Sequence, residues 1–469
     1  MSLSAQALLL LGLTVMVVAL SFAFAGRSQA GAGFFDGRDE GGRAPRLLTL
    51  VLSQVTTWIF ARSLLNAAIL GFYYGMPGTL AYTAYYASFL TGWIVVDGIR
   101  FRAGAASIQD YLRGHFGKAG SVCYNFVIAL RLLSEVFANL LVIGVIFAGL
   151  FPTVAEADIY AIIALALLAL GYSVLGGLRA SLRTDVMQMA GFLAIFGVAL
   201  IALFTQPDFS WEAAFAAEGV AGAGPGWILL LVALLQIWSY PTHDPVMTDR
   251  GFLADRATTR KSFLHAFWLS SVCIFGFGLF GVQAGLMAAD GEAMPDVWTR
   301  MFDPAILVCL NAALVISALS TLDSALSSAA RLTVRDMRLA SETVANGRIA
   351  MIAFMVGGLA LMLADVKNLY AAVAVSGTAS MFLAPVLIFN ILSGVRGIPV
   401  WAYLVAFVSA VGGAVLYFFV EAKAAPALAL FGDVHKYTAL LWICVAVLTA
   451  GNAAFAMAAL MRRSPPATG

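Results

Sequence analysis

Residues 318–328 read ALSTLDSALSS, five hydroxyls and one carboxylate set inside a long apolar stretch. In a soluble protein such a segment would be an ordinary polar turn. In a bilayer every one of these groups needs a partner, and their presence marks an ion or substrate path. At helical spacing Ser317, Ser320, Thr321 and Ser324 fall at i, i+3, i+4 and i+7, which gathers four oxygens on one stripe. Two readings stand open for that stripe: hydrogen bonding to its own or a neighbouring helix, or a cage for a hard cation that wants several oxygens and neither nitrogen nor sulfur.

Outward from this stretch the chain decides in favour of the bilayer. It is 62% hydrophobic and 11% charged, whereas soluble domains carry about 25% charge. Apolar stretches of about 20 residues recur, and each can satisfy its own backbone in lipid only as a helix. The alternation of a transmembrane barrel strand is absent. The expected fold class is therefore an all-α polytopic membrane protein. Apolar windows place thirteen transmembrane helices near 5–24, 48–75, 79–99, 119–151, 158–174, 183–205, 225–248, 262–287, 304–338, 347–365, 368–392, 399–420 and 437–461. The first lacks a basic leader and reads as a retained helix rather than a signal peptide.

With these spans, 21 of the 27 Lys and Arg fall in loops on one side and only Arg300, Lys367, Lys423 and Lys436 on the other. The positive-inside rule then puts the N-terminus outside and the C-terminus in the cytoplasm, in the cell membrane. The longest gaps, 25–47 and 206–224, hold no soluble domain. Neither a Ser/His/Asp order nor a phosphate-binding glycine loop is visible, so an enzyme is not expected. The four cysteines are scattered singly, which argues against a disulfide or a metal cluster. No basic tract suggests nucleic acid, and nothing demands an obligate protein partner. The expected partners are the lipid bilayer and a small-molecule solute.

Two further polar clusters lie in apolar surroundings. GYSVLGGLRASLRTDVMQ, residues 171–188, carries a Gly176–Gly177 turn and then Thr184, Asp185 and Gln188. Taken alone, Asp185 is a helix-capping acid. VTTWIFARSLLNAAILGFYYGMPG, residues 55–78, holds Thr56, Thr57, Arg62, Ser63 and Asn66. It reads as a discontinuous helix whose freed carbonyls coordinate an ion, or as a shielded helix with Arg62 paired to Glu135. Both can hold.

Together these clusters resemble the sodium/solute symporter family, which includes sodium/proline, sodium/galactose, sialic acid and urea transporters. YSVLGGLRASLRTDVMQ is similar over its full length to the family pattern Y-[ST]-x-x-G-G-x-x-A-x-x-x-T-D-x-x-Q. SALSTLDSALSSAARLTVRD, residues 317–336, resembles the ninth-helix pattern of an ST pair, Asp-Ser and a closing Arg-Asp. SIQDYLRGHFG, residues 107–117, resembles the segment after the third helix, with Gln109 where proline is usual. The resemblance implies leucine-transporter-like inverted five-helix repeats over 48–205 and 225–392, preceded by an extra helix at 5–24 and followed by two helices over 399–461. It implies Na⁺ as coupling ion, held by the carbonyls of Thr56 and Ile59 and the hydroxyls of Ser317, Ser320 and Thr321. A shifted register would move the carbonyls to Leu65 and Ala68. Some relatives place a second sodium at the carboxylate matching Asp185, leaving one or two Na⁺ open. Residues 54–78 are also similar to the urea branch.

Solute contacts are expected from Trp58, Arg62, Ser63 and Asn66, then from Glu135, Asn139 and Trp238, with Tyr86, Ser376 and Thr378 at similar depth. In WSYPTHDPVMTDRGF, residues 238–252, Pro241 and Pro245 interrupt the seventh helix around His243 and Asp244, which are either solvated at a kinked end or take part in coupling. Asp249 and Arg250 stand where the family often has Gln-Arg. The expected function is sodium-coupled symport of a small polar organic solute by alternating access. Proton coupling through Asp185 or His243 on the same fold, or a solute sensor, are the alternatives.

Overall fold

The computed structural model describes residues 3–28, 30–363 and 376–463, and among these every regular element is helical. In chain order they are α1 (Leu3–Ala25), α2 (Gly31–Asp36), α3 (Leu47–Trp58), α4 (Ala61–Ala84), α5 (Ser88–Val96), α6 (Ile108–Leu150) and α7 (Ala157–Phe204). There follow α8 (Trp211–Ala216), α9 (Gly224–Gln236), α10 (Pro245–Gly251), α11 (Arg256–Met287), α12 (Met294–Met301), α13 (Pro304–Arg331) and α14 (Val344–Leu363). An apolar helical stretch over Gly377–Leu392 precedes α15 (Val400–Glu421), α16 (Ala425–Phe431) and α17 (Lys436–Arg463). The expected helix ends and loop at 364–375, with Lys367, lie outside the described residues.

Two of these elements are too long to cross once. At 1.5 Å per residue the 43 residues of α6 and the 48 of α7 would run about 65 and 72 Å against a hydrocarbon core of about 30 Å. Single glycines resolve the excess. Gly117 in α6 (φ 62°, ψ −150°), Gly177 in α7 (φ 58°, ψ −137°) and Gly75 in α4 (φ 60°, ψ −145°) take conformations that side chains with a Cβ rarely adopt. A Cβ on Gly120 would strike the Leu112 carbonyl, and one on Gly78 the Leu70 carbonyl. Residues eight apart in a straight helix are about 12 Å apart, so the chain doubles back at these points. Among the described residues eight helices are long and apolar enough to cross a membrane, nine with the bent α3–α4 pair taken as one span; dividing α4 and α7 at Gly75 and Gly177 and adding the shorter apolar helices Gly224–Gln236 and Gly377–Leu392 accommodates the expected thirteen.

Several expected boundaries are corrected. No loop separates 158–174 from 183–205, because Gly177 alone makes the bend. A short helix over 108–116, capped by Ser107, which accepts from the Asp110 N–H at 3.1 Å, precedes the fourth crossing, which starts after Gly117, close to the expected 119. The gap 25–47 is not bare loop: it carries α2, whose Phe34 and Phe35 are buried in space that Gly177 and Gly347 leave by lacking a side chain. Likewise 206–224 carries α8, and Val220 and Ala221 donate to the carbonyls of Phe72 and Tyr73 beside the Gly75 turn.

Lipid tails are as apolar as leucine, so close packing and hydrogen bonds hold such helices together. α13 shows how. Every residue from Ala312 to Arg331 is buried, and most are Ala, Ser or Leu, so that α7, α6, α14, α1, α3 and α10 can approach it.

The leading helix of each expected repeat is broken. The break between α3 and the helix beginning with α4 bends the chain by 58°. The other separates α9 from α10, with a single helical turn over Tyr240–His243 between them.

Candidate functional site

The α3–α4 break contains neither Gly nor Pro. The helical ladder stops with the Ile59 N–H on the Val55 carbonyl and resumes with the Leu64 N–H on the Phe60 carbonyl. Other elements take up the released carbonyls: Tyr86 Oη donates to that of Trp58 at 2.8 Å, and Ser317 Oγ donates to that of Ile59. Thr56, three residues earlier, has a buried hydroxyl without a protein partner. Thr321 Oγ1 donates to the Ser317 carbonyl at 2.9 Å, which leaves its lone pairs available. The structure therefore brings Ile59 into contact with Ser317, and sets Thr321 and Ser320 on the adjoining turn of α13. All the side chains involved are buried, and the donor set is oxygen only.

Ser320 also belongs to a second cluster, toward the Arg331 end of α13. Its Oγ donates to Asp185 Oδ1 at 2.9 Å. Ser53 of α3 donates to Asp185 Oδ2 at 2.5 Å, and Arg250 of α10 lies 3.5 Å from the same oxygen. Asp323 accepts from Thr184 at 2.7 Å and from Ser181 at 3.2 Å. Asp185, Asp323 and Arg250 are fully buried. Asp185 is thus no simple helix cap, and its partner Arg250, counted in the sequence reading among the loop cations, is buried inside the bundle. The signal was only the unusual Asp249–Arg250 pair after two prolines.

A cavity of about 540 Å³ runs from the α3–α4 break to Lys436. Trp58, Arg62, Ser63, Asn66 and Tyr86 line it as expected, and Tyr82 Oη donates to Ser63 at 3.1 Å. Glu135, Asn139 and Trp238 lie elsewhere. Glu135 does not pair with Arg62. It binds Arg131, one turn earlier on α6, at 2.6 Å, and it is Arg131 that reaches the cavity. Asn139 Nδ2 donates to the Glu135 carbonyl at 2.8 Å. Trp238 is 42% exposed on the outer side of the α9 bend, and Tyr240 faces the cavity in its place. Thr378 is buried beside Gln236, whose Nε2 donates to it at 3.4 Å, while the side chain of Ser376 lies outside the described residues.

His243 and Asp244 are buried, not solvated. Asp244 caps α10 by accepting from the Met247 N–H at 2.9 Å and also lies 3.3 Å from Arg131. His243 Nδ1 donates to the Tyr240 carbonyl at 2.5 Å. The i, i+4 spacing of Arg131 and Glu135 was the available signal for this group; Asp244 joins it only through the bend at the prolines.

The two ends of the site differ. Glu421 and Lys436 pair at 3.4 Å on the side with few basic residues. There Tyr74 Oη lies 3.2 Å from His435 Nε2; burial, then the Lys436 charge, hold that imidazole below its ordinary pKa. At the opposite end Arg331 meets Asp249 at 3.3 Å, and Arg335 pairs with both Asp36 of α2 and Glu342. These pairs join α10, α13 and α2 across that end of the bundle.

Two interrupted helices packed beside a hydroxyl-rich one, with a cavity at the first break, define a leucine-transporter-like membrane fold. Comparison with solved structures agrees. A Na⁺-coupled sialic acid symporter in a substrate-bound, outward-open state matches over 96% of this chain and 97% of its own, with a TM-score of 0.72 and 15% identity. Mhp1, a nucleobase-cation-symport-1 family transporter closed on bromovinylhydantoin, matches over 91% and 96% (TM-score 0.56, 15% identity). A manganese transporter from Eremococcus coleocola matches over 89% and 95% (TM-score 0.55, 12% identity). No family model matches the chain. No curated protein sequence matches it. At these identities the likeness establishes the fold, and all three neighbours are transporters rather than enzymes.

Proposed function

We propose that this chain is a secondary transporter that carries a small polar organic solute across the cell membrane together with Na⁺, as in the sodium/solute symporters its motifs resemble. The observation that supports the reading best is the Ile59 carbonyl, released at the end of α3 and met by Ser317 of α13. With the Thr56 carbonyl, Ser320 and Thr321 it offers five oxygens from two elements, a set suited to a hard cation. Helix carbonyls unwound at a repeat interface are the usual place for coupling ions in such folds.

The coupling follows from the geometry. The ion would bridge α3 and α13, while the solute would contact Trp58, Arg62, Ser63 and Asn66 on the other side of the same break, along with Arg131 and Tyr240. Each ligand would therefore order the residues the other needs. In this reading the Asp249–Arg331 and Arg335 ion pairs would close the cytoplasmic route while the cavity faces outward, the outward-facing stage of alternating access. Inward movement of both ligands requires Asp249–Arg331 to part.

The test is uptake by the purified protein in proteoliposomes, screened over small polar solutes with an imposed Na⁺ or H⁺ gradient. Accumulation driven by Na⁺ alone is expected. Accumulation driven only by H⁺ would assign the coupling to a proton, and solute binding without accumulation under either gradient would make the chain a sensor.

A further inference from the structure

The sodium cage proposed above uses the outer part of the α13 hydroxyl stripe. Its inner part, Ser324, faces Ser53 of α3, Ser181 and Asp185 of α7, a second group of oxygens in which the resemblance implied another sodium. That group already surrounds a cation. Arg250 Nη2 donates to Ser324 Oγ at 2.9 Å and to Ser181 Oγ at 3.1 Å, and it reaches Asp185 Oδ2 at 3.5 Å. Its Nε donates to Ser53 Oγ at 3.1 Å, and Nη1 to the Val246 carbonyl at 3.3 Å. Lone pairs that a metal ion would need are thus directed at N–H hydrogens, and an added Na⁺ would sit against a guanidinium among fully buried groups, where like charges are poorly screened. The residues present do not fit a second sodium.

We propose that Arg250 is a tethered cation standing where a second Na⁺ would bind, so that this protein carries one Na⁺ per cycle. Arg250 is a positioning residue: it holds Asp185 and Ser324 for the neighbouring cage without touching the transported ion. The α10 helix supplies it, set in place by the Asp244 cap and packed on α3 and α13. The inference rests on the sodium reading given above, and counting ions separates the two.

The experiment is equilibrium binding of ²²Na⁺ to the full-length chain in lipid nanodiscs, with no solute required. One Na⁺ per chain is expected at saturation. Two would overturn the tethered-cation proposal and leave the sodium reading standing, whereas none would overturn the sodium reading itself. Arg250→Gln should raise the count from one to two, and Arg250→Gln with Asp185→Asn should return it to one. A folded Arg250→Gln protein that still binds one ion would count against the proposal. Should that variant fail to fold, the native count decides alone.

Discussion

Ser317 and Thr321 present the clearest single-residue tests, because each offers one oxygen to the cage and neither holds an ion pair. Ser317→Ala or Thr321→Ala should raise the Na⁺ concentration for half-maximal uptake about tenfold, equivalent to roughly 1.4 kcal/mol, before solute recognition weakens. Unchanged Na⁺ activation in both variants would remove the cage. Arg131 makes a different kind of test. It lies 2.6 Å from Glu135 and 3.3 Å from Asp244, so Arg131→Ala strands two buried carboxylates. Breaking a buried pair in this way costs about 3–5 kcal/mol. The expected result is a large fall in Tm in detergent, partly recovered by adding Glu135→Gln. An unshifted Tm would show that the two acids do not depend on Arg131.

At the scale of elements, the bent helices sort by the origin of their bends. Gly117 and Gly177 share one backbone conformation, but a Cβ at Gly117 meets nothing within 4 Å, whereas at Gly177 it meets the Phe34 carbonyl oxygen 2.5 Å away and the Phe34 ring at 2.7 Å. Gly117→Ala should therefore show only the backbone strain, on the order of 1–3 kcal/mol. Gly177→Ala should lose more and release α2, read as new proteolytic cleavage within 27–46. Equal losses would mean that Phe34 gives way freely. The break at residues 59–60 has no local cause, since residues 47–70 contain no Gly or Pro. A peptide of residues 47–70 in micelles should then be helical through Ile59, while one of residues 224–251, with Pro241 and Pro245, should stay interrupted. NMR secondary shifts distinguish the two outcomes.

At the scale of the whole molecule, charge distribution sets orientation and the ion gradient sets work. A cysteine introduced at Asp290 should react with an impermeant maleimide added to intact cells. One at Glu342 should react only after permeabilisation, and the reverse pattern would invert the topology. One Na⁺ moving inward gains about 2.3 kcal/mol per 100 mV and roughly 1.4 kcal/mol per tenfold gradient. A neutral solute should accumulate on the order of 500-fold under both, and a sodium ionophore should abolish that accumulation.

What the sequence determined by itself was whatever depends on local chemistry. Apolar length fixed the crossings, glycine freed the bends at 75, 117 and 177, the two prolines interrupted the seventh helix, and helical spacing aligned Ser317, Ser320, Thr321 and Ser324. Tertiary structure alone decided which groups meet. The ladder ends at Ile59 because Tyr86 and Ser317, on other elements, satisfy the adjacent carbonyls of Trp58 and Ile59. Arg250 found Asp185, and Arg131 rather than Arg62 took Glu135, because a buried charge binds whichever opposite charge packing brings within a few ångströms. Spacing along the chain carries no record of that distance once the helices bend and cross.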